Sequence, residues 1–160
     1  MLHMAVGKNV KAVTSFNTDY PAKGSRTLTD GIGGYNNFQY NYLGWLGNDM
    51  EVVIDLEEIK NLQSVSAGFL EDQRHWAFLP TQVTVELSDN GSIFKPAATV
   101  SLPKVDENYA KETHRVQLTL PADSKARYIR IKAKNLNELP SWRNMPNRKP
   151  WLFCDEIAVY

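Results

Sequence analysis

The sequence predicts an all-β sandwich, and three observations lead there. Apolar residues alternate with polar ones in seven or eight short segments, the period of a strand with one face buried. Clusters of Gly, Pro, Asn and Asp separate those segments. No stretch of any length carries a helical period. At 160 residues the chain suits one domain, able to bury about two-thirds of its unfolded surface. Residues 5–160 read as that domain, with no linker, repeat or second unit, and Met1-Leu-His-Met4 reads as a cloning scar.

Residues 5–35 are rich in Gly, Thr, Ser, Asn and Asp, with Val10, Val13 and Phe16 as the core candidates of a short first strand. Asp30-Gly31, then Gly33-Gly34, marks a backbone that turns tightly and exposes carbonyls. The aromatic-polar stretch 35–45 lacks clean periodicity and reads as a structured loop or a broken strand. Beyond it Met50, Val52, Ile54 and Leu56 alternate with Glu51, Val53 and Asp55, giving a strand. Val65, Ala67 and Phe69 give another, followed by a loop over 71–76. Val83, Val85 and Leu87 alternate strictly with polar residues, a strand with one wet face. Asp89-Asn90-Gly91 is its hairpin turn, because Asn and Gly tolerate positive φ. Ala98, Val100 and Leu102 predict a short strand, as do Val116, Leu118 and Leu120, then Ile129, Ile131 and Ala133. A Pro- and Arg-punctuated loop over 139–150 leads into the end of the chain.

That last stretch, Trp151-Leu-Phe-Cys-Asp-Glu-Ile-Ala-Val-Tyr160, is the most apolar run. Alternation assigns Trp151, Phe153, Ile157 and Val159 to one face and Leu152, Cys154 and Ala158 to the other. Both faces are apolar, as in a central strand, and aromatic and β-branched residues favour strand over a short buried helix. Val85, Ile54 and Phe153 are expected in one core. Two carboxylates, Asp155 and Glu156, sit inside this strand. A buried carboxylate needs a basic side chain, backbone N–H groups or a bound cation.

Lys+Arg and Asp+Glu are equal at 18 each. Zero net charge argues against a nucleic-acid module, which draws most non-specific affinity from a basic excess. It also argues against electrostatic attachment to an acidic membrane. No apolar run approaches the ~20 residues of a membrane-spanning helix, and the start of the chain shows no signal-peptide pattern. The single cysteine, Cys154, excludes an intrachain disulfide and reads as a small core residue.

The residue types argue against an active site. Gly-x-Ser-x-Gly, His-Glu-x-x-His, phosphate-cradling glycine loops and Cys/His metal clusters are all missing. His3, His75 and His114 are scattered and read as solvated. Asp155 and Glu156 are adjacent on a strand, so they point to opposite faces and cannot flank one scissile bond.

Two other constellations stand out. Tyr40, Tyr42 and Trp45 lie in one loop, Arg74, His75 and Trp76 in a second, Trp142 and Arg143 in a third. Aromatic faces beside Arg, Asn and Gln suit sugar rings, whose C–H faces stack while their hydroxyls hydrogen-bond. The same aromatics could equally cap the ends of a sandwich. Trp45, Trp76 and Trp151 adjoin apolar residues and fit the core, whereas Trp142, among Ser, Arg and Asn, is the ring expected in solvent. Separately, Asp30 with Glu156, plus turned carbonyls of the 29–34 stretch, offers the oxygen ligands that a hard cation such as Ca²⁺ takes, without EF-hand spacing.

Five stretches in order carry a family resemblance: Leu28-Thr-Asp-Gly31, Trp45-Leu-Gly-Asn-Asp-Met-Glu-Val-Val-Ile-Asp-Leu56, Trp76-Ala-Phe-Leu-Pro80, Val85-Glu-Leu-Ser-Asp-Asn-Gly91 and Trp151-Leu-Phe-Cys-Asp-Glu-Ile157. The chain resembles the discoidin-like, factor-five/eight type C superfamily. That superfamily has a galactose-binding-like jelly-roll fold and includes the family 32 carbohydrate-binding modules. The chain is most similar to the C-terminal domain of bacterial family 20 β-hexosaminidases and chitobiases. The resemblance implies a non-catalytic module that binds amino-sugar or galactose-type glycans weakly, or a scaffold that packs on a catalytic domain of the parent chain. It implies a glycan and that catalytic domain as partners, and a periplasmic, cell-surface or secreted location. It also implies a structural Ca²⁺ held by the side chains of Asp30 and Glu156 and by carbonyls of Thr27, Gly33 and Asp155. Sugar, where bound, would sit on loops at one end of the sandwich, with Arg74, His75, Trp142, Arg143 and Tyr40 as candidates. The paired cysteines of the clotting-factor branch are missing, which lowers a phospholipid-binding reading.

Overall fold

The structure, a computed structural model, describes residues 1–34 and 38–160. Its strands are β1 (Val10–Ala12), β2 (Ala22–Ser25), β3 (Leu43–Leu46), β4 (Met50–Asn61), β5 (Ser64–Glu71), β6 (Gln82–Ser88), β7 (Lys95–Ser101), β8 (Glu112–Thr119), β9 (Lys125–Lys134) and β10 (Trp151–Val159). Helix among the described residues is limited to α1 (Phe38–Asn41) and to 3-10 turns at Arg26–Thr29, Gln73–His75 and Ser141–Arg143. No helix among them is long and apolar enough to cross a membrane. The 35–45 stretch, expected as a loop or broken strand, thus contains α1 and β3, while its residues 35–37 lie outside the described residues.

Two antiparallel sheets form the sandwich. The larger has the order β1-β4-β9-β6-β7, and the smaller β3-β10-β5-β8. Alternation explains the larger sheet: Met50, Val52, Ile54 and Leu56 of β4 are fully buried, while Glu51, Val53 and Asp55 are half-buried on the other face. Ile129 and Ile131 of β9 and Val83 and Val85 of β6 complete that inner face. Opposite them lie Val65, Ala67 and Phe69 of β5, Val116 and Leu118 of β8, and Leu152, Cys154, Ile157 and Val159 of β10. Trp45 of β3 is fully buried in this core, and its indole N–H donates to the Thr14 carbonyl at 3.2 Å.

β10 departs from simple alternation. Against β5, Cys154 pairs with Phe69, and the next paired residue is Ile157, opposite Ala67. Three steps on β10 thus match two on β5, so Asp155 and Glu156 together oppose Gly68, a β-bulge. One extra residue flips the faces beyond it. Leu152 and Cys154 therefore share the inner core with Ile157 and Val159. Phe153, expected beside Ile54 and Val85, is instead buried in a second cluster with Tyr42, Leu70 and Ala77. There it stacks on Trp151 with centroids 5.0 Å apart, and Tyr20 stands edge-on to both rings.

The β3–β4, β5–β6, β7–β8 and β9–β10 connections all emerge at one end, because Leu46 pairs with Trp151, Glu71 with Glu112, and Gln82 with both Ser101 and Lys134. Asn135 fastens that end. Its buried side-chain amide donates to the Pro150 carbonyl at 3.0 Å and the Asn48 carbonyl at 3.2 Å, and its backbone N–H donates to Asp49 at 2.9 Å.

Two substitutions separate core from surface aromatics. Trp45→Ala is expected to cost about 3–5 kcal/mol in urea unfolding. Tyr40, 61% exposed on α1, should change stability by no more than about 0.5 kcal/mol when replaced by Ala. Equal costs would show that the core does not centre where these residues place it.

Candidate functional site

At the loop end, three connections meet on one buried side chain. Gln73 sits in the 3-10 turn after β5 and is fully buried. Its amide N–H donates to the Asp106 carbonyl at 2.8 Å, which fastens the β7–β8 loop. Its side-chain oxygen accepts the Trp142 indole N–H at 2.7 Å, and its backbone carbonyl accepts Arg143 Nε at 2.9 Å. A buried amide left unpaired would cost about 1–3 kcal/mol, so these bonds fix the loops relative to one another.

The neighbouring charges are organised by aromatic faces. The guanidinium groups of Arg143 and Arg148 lie over the Trp76 ring, 4.0 and 4.5 Å from its centroid, and Trp76 Nε1 donates to the Arg143 carbonyl. Arg143 also donates to the Arg74 carbonyl at 2.9 Å. Arg74 itself is exposed, over the Tyr109 ring at 5.9 Å. His75 is exposed too, with Nδ1 2.8 Å from the largely buried Asp72 carboxylate. Beside this cluster lies a groove of about 1120 Å³, lined by the β5–β6, β7–β8 and β9–β10 connections, by Val100 and Ser101 at the end of β7 and by residues 114–117 of the edge strand β8, with Trp142 in its wall.

The second region is the bulge. Asp155, 2% exposed, accepts the Gly34 N–H at 2.9 Å and Arg115 Nη2 at 3.2 Å. Arg115 also donates to Ser66 Oγ and to the Glu156 carbonyl, both at 3.2 Å. The carboxylate lies directly over β5: a Cβ on Gly68 would come within 2.1 Å of Asp155 Oδ1. Only glycine leaves that space. Asp155 is thus paired by a basic side chain and a backbone N–H, two of the three partners its burial demanded.

Glu156 differs. It is fully buried, and neither of its side-chain oxygens has a hydrogen-bond partner among the described residues. His3 Nε2 lies 3.5 Å from Oε2, also fully buried. Burial raises the Glu156 pKa above the ordinary carboxylate range, His3 opposes that rise, and the charge of Asp30 adds to it. Asp30 is ion-paired with Lys23 and accepts the Ile32 N–H at 2.9 Å. Thr27 is fully buried and donates to the Gly24 carbonyl at 2.7 Å, and Gly33 is half-buried. Among the described residues no group of three or more His, Cys, Asp and Glu side chains is arranged to hold a metal. A cation here would therefore draw mostly on backbone carbonyls. The orphaned Glu156 oxygens, beside a second carboxylate, fit such an ion.

The F5/8 type C domain family model matches residues 9–148. The chain belongs to that family. Similar solved folds include chitosan-binding module 1 of a chitosanase/glucanase from Paenibacillus sp. IK-5, at 12% identity and TM-score 0.59, covering 100% of this chain and 99% of that one. The CpGH89CBM32-4 module of Clostridium perfringens, solved in complex with GlcNAc-α-1,4-galactose, is 17% identical with TM-score 0.57, covering 99% and 94%. A fucose-binding module of Streptococcus pneumoniae is 17% identical with TM-score 0.58, covering 99% and 94%. No curated protein sequence matches the chain.

In this F5/8 type C domain the ligand candidates divide. Arg74, His75, Trp142 and Arg143 gather at the loop end, where Trp142 alone of the four lines the groove, whereas Tyr40 projects from α1, which packs beside β2. Trp142, expected as a solvent-exposed ring, is half-buried because its indole N–H is anchored on Gln73. The side chain of His3, expected in solvent, is buried, and the adjoining N-terminal backbone is held to β10, with Met4 N–H donating to the Val159 carbonyl at 2.9 Å. Cys154 is buried as expected, and burial pushes its thiol pKa well up, away from reactivity. Asp155 and Glu156, expected on opposite faces of an unbroken strand, instead oppose Gly68 together at the bulge. Gln73, Asp106 and Tyr109 were not singled out from sequence. Their role depends on contacts across 33 or more residues that no local pattern records.

The buried Glu156 makes a pH prediction. A carboxyl whose folded pKa is raised contributes stability below the unfolded pKa and loses it as pH rises through the folded value. In chelator, Glu156→Gln should be more stable than the parent at neutral pH, and the difference should vanish in acid below the ordinary carboxylate range. A difference independent of pH would show that Glu156 is not held in an unfavourable charged form.

Proposed function

We propose that this domain is a carbohydrate-binding module appended to a glycan-degrading enzyme of the β-hexosaminidase or chitobiase type, acting outside the cytoplasm or at the cell surface. The observation that carries the reading is a Trp142 ring anchored on Gln73, in the wall of a groove and in the same loop cluster as Arg74 and His75. A ring whose only polar atom is satisfied from behind offers its face to the C–H face of a sugar at little entropic cost. Arg74 and His75 supply exposed donors for the hydroxyls. Arg143 holds the platform, since its guanidinium is engaged by Gln73, Arg74 and Trp76.

Similar folds described as chitosan-binding, fucose-binding or bound to GlcNAc-α-1,4-galactose support a glycan ligand. Amino-sugar and galactose-type glycans are the ligands proposed here. An open site covering few ligand atoms gives affinities on the order of 0.1–1 mM, about −4 to −5.5 kcal/mol. The catalytic domain of the parent chain is the second partner. If the loop end binds no sugar, the apolar groove is the surface on which that domain would pack.

The cation belongs to the same proposal. Asp30 and Glu156 would hold Ca²⁺ with carbonyls of Thr27, Gly33 and Asp155, and the ion would supply the positive charge that neutralises two neighbouring carboxylates. It would thereby tie the 26–33 segment to β10. Lys23 and His3 lie against these carboxylates and would have to release them.

Two experiments test the reading. Titration with N-acetylglucosamine or galactose should quench tryptophan fluorescence in the millimolar range, and Trp142→Ala should abolish the response at a stability cost of about 1–3 kcal/mol for the buried Gln73 oxygen it leaves without its indole partner. Retained binding in that variant would move the sugar elsewhere, and silence in the parent protein would leave the scaffold role. For the cation, chelator should lower the melting temperature and Ca²⁺ restore it by mass action. Asp30→Ala should remove that dependence, and a melt indifferent to chelator would overturn the Ca²⁺ assignment.

A further inference from the structure

Resting on that glycan reading, we propose that the site is an extended groove that reads the length of an oligosaccharide, with one unit on Trp142 and the following units along the seam between β7 and β8. These two strands are the edges of different sheets and approach each other without pairing, and the groove opens at the loop end of the seam between them. Its volume, about 1120 Å³, exceeds the roughly 300–1,000 Å³ of a pocket for one drug-sized ligand. A monosaccharide on Trp142 would leave most of it unfilled.

The lining suits a glycan chain. Val100, Leu102, Val116, Leu136 and Leu79 give an apolar floor for C–H faces, continuous with Trp142. Hydroxyl partners stand along the walls: Glu71, approached by Asn108 at 3.4 Å and His114 at 3.6 Å, and Ser101 at the end of β7, all near the loop end, and Gln117 further along β8. From His114 to Gln117 the strand advances three residues, about 10 Å at the usual rise. A peptide strand adding to β8 is the competing occupant. Lys104, His114 and Arg115, with Pro103, also line the seam, and charges and proline at an edge oppose pairing with another strand.

The test is a length series by calorimetry: N-acetylglucosamine and its β-1,4-linked dimer, trimer and tetramer, with galactose and β-1,4-galactan oligomers in parallel. One series should tighten at least tenfold from monomer to tetramer. Gln117→Trp, at an exposed position on an edge strand, fills the far part of the groove. It should reduce the tetramer to the monomer's affinity and leave the monomer unchanged. Gln117→Tyr, a smaller intrusion at the same place, should do the same and serves if the first variant melts early. Length-independent affinity, or a preference that survives both variants, overturns the groove but not the loop-end sugar site. Silence of every sugar in both series overturns both. Shifts of β8 backbone amides caused by an unstructured extended peptide, with none caused by the sugars, would assign the seam to strand addition instead.

Discussion

A single extra residue in the last strand sets the terms for the rest of this fold. The bulge opposite Gly68 places two adjacent acids in the interior of β10, between β3 and β5. Removing a charged group from water costs several kcal/mol even after relaxation, unless partners replace the lost hydration. Asp155 acquires them from Arg115 on β8 and from the Gly34 N–H, so its carboxylate bonds the smaller sheet to the loop before α1. Glu156 does not acquire them among the described residues: His3, 3.5 Å away, offsets part of the cost, and the neighbouring Asp30 charge adds to it.

The bulge also separates two cores. Before it, Trp151 and Phe153 face outward to the aromatic cluster closed by Tyr20 and Tyr42; after it, Ile157 and Val159 face the sandwich interior. Since β10 starts at the loop end, Trp151 anchors that end from below: its N–H donates to the Trp76 carbonyl at 2.7 Å and its own carbonyl accepts the Phe78 N–H at 3.1 Å. Gln73 then orders what stands above. Rigidity at a nominal loop surface is what a weak binding site needs, because each side chain that must be frozen on binding subtracts from a small total.

Much of the architecture was legible in the sequence, and for a definite reason. β4, β6 and β9 each bury one face and wet the other, so period-two alternation records them directly. β10 was legible as a central strand, but its faces were not: a bulge inserts a residue without leaving a Gly or Pro as its mark. The isolated acid pair was the visible trace, and it showed that partners were needed without showing which. Arg115 lies 40 residues from Asp155, and His3 pairs with a residue at the opposite end of the chain. Such contacts are made by topology. The loop end was read in outline, since Arg74, His75, Trp142 and Arg143 do come together. Its organiser was not, because a buried Gln73 in a run of charged residues looks like any solvated loop position.

The loop end and the groove beside it are where the F5/8 type C scaffold leaves an ordered aromatic ring, free donors and open volume together. The most direct test of that account is a crystal structure of the protein grown with the β-1,4-linked trimer of N-acetylglucosamine. The account predicts a sugar ring stacked on Trp142, with the Gln73 bonds to Trp142 and Asp106 intact and the next units lying between β7 and β8. A sugar seated on α1 beside Tyr40, with the loop end and seam empty, would contradict it.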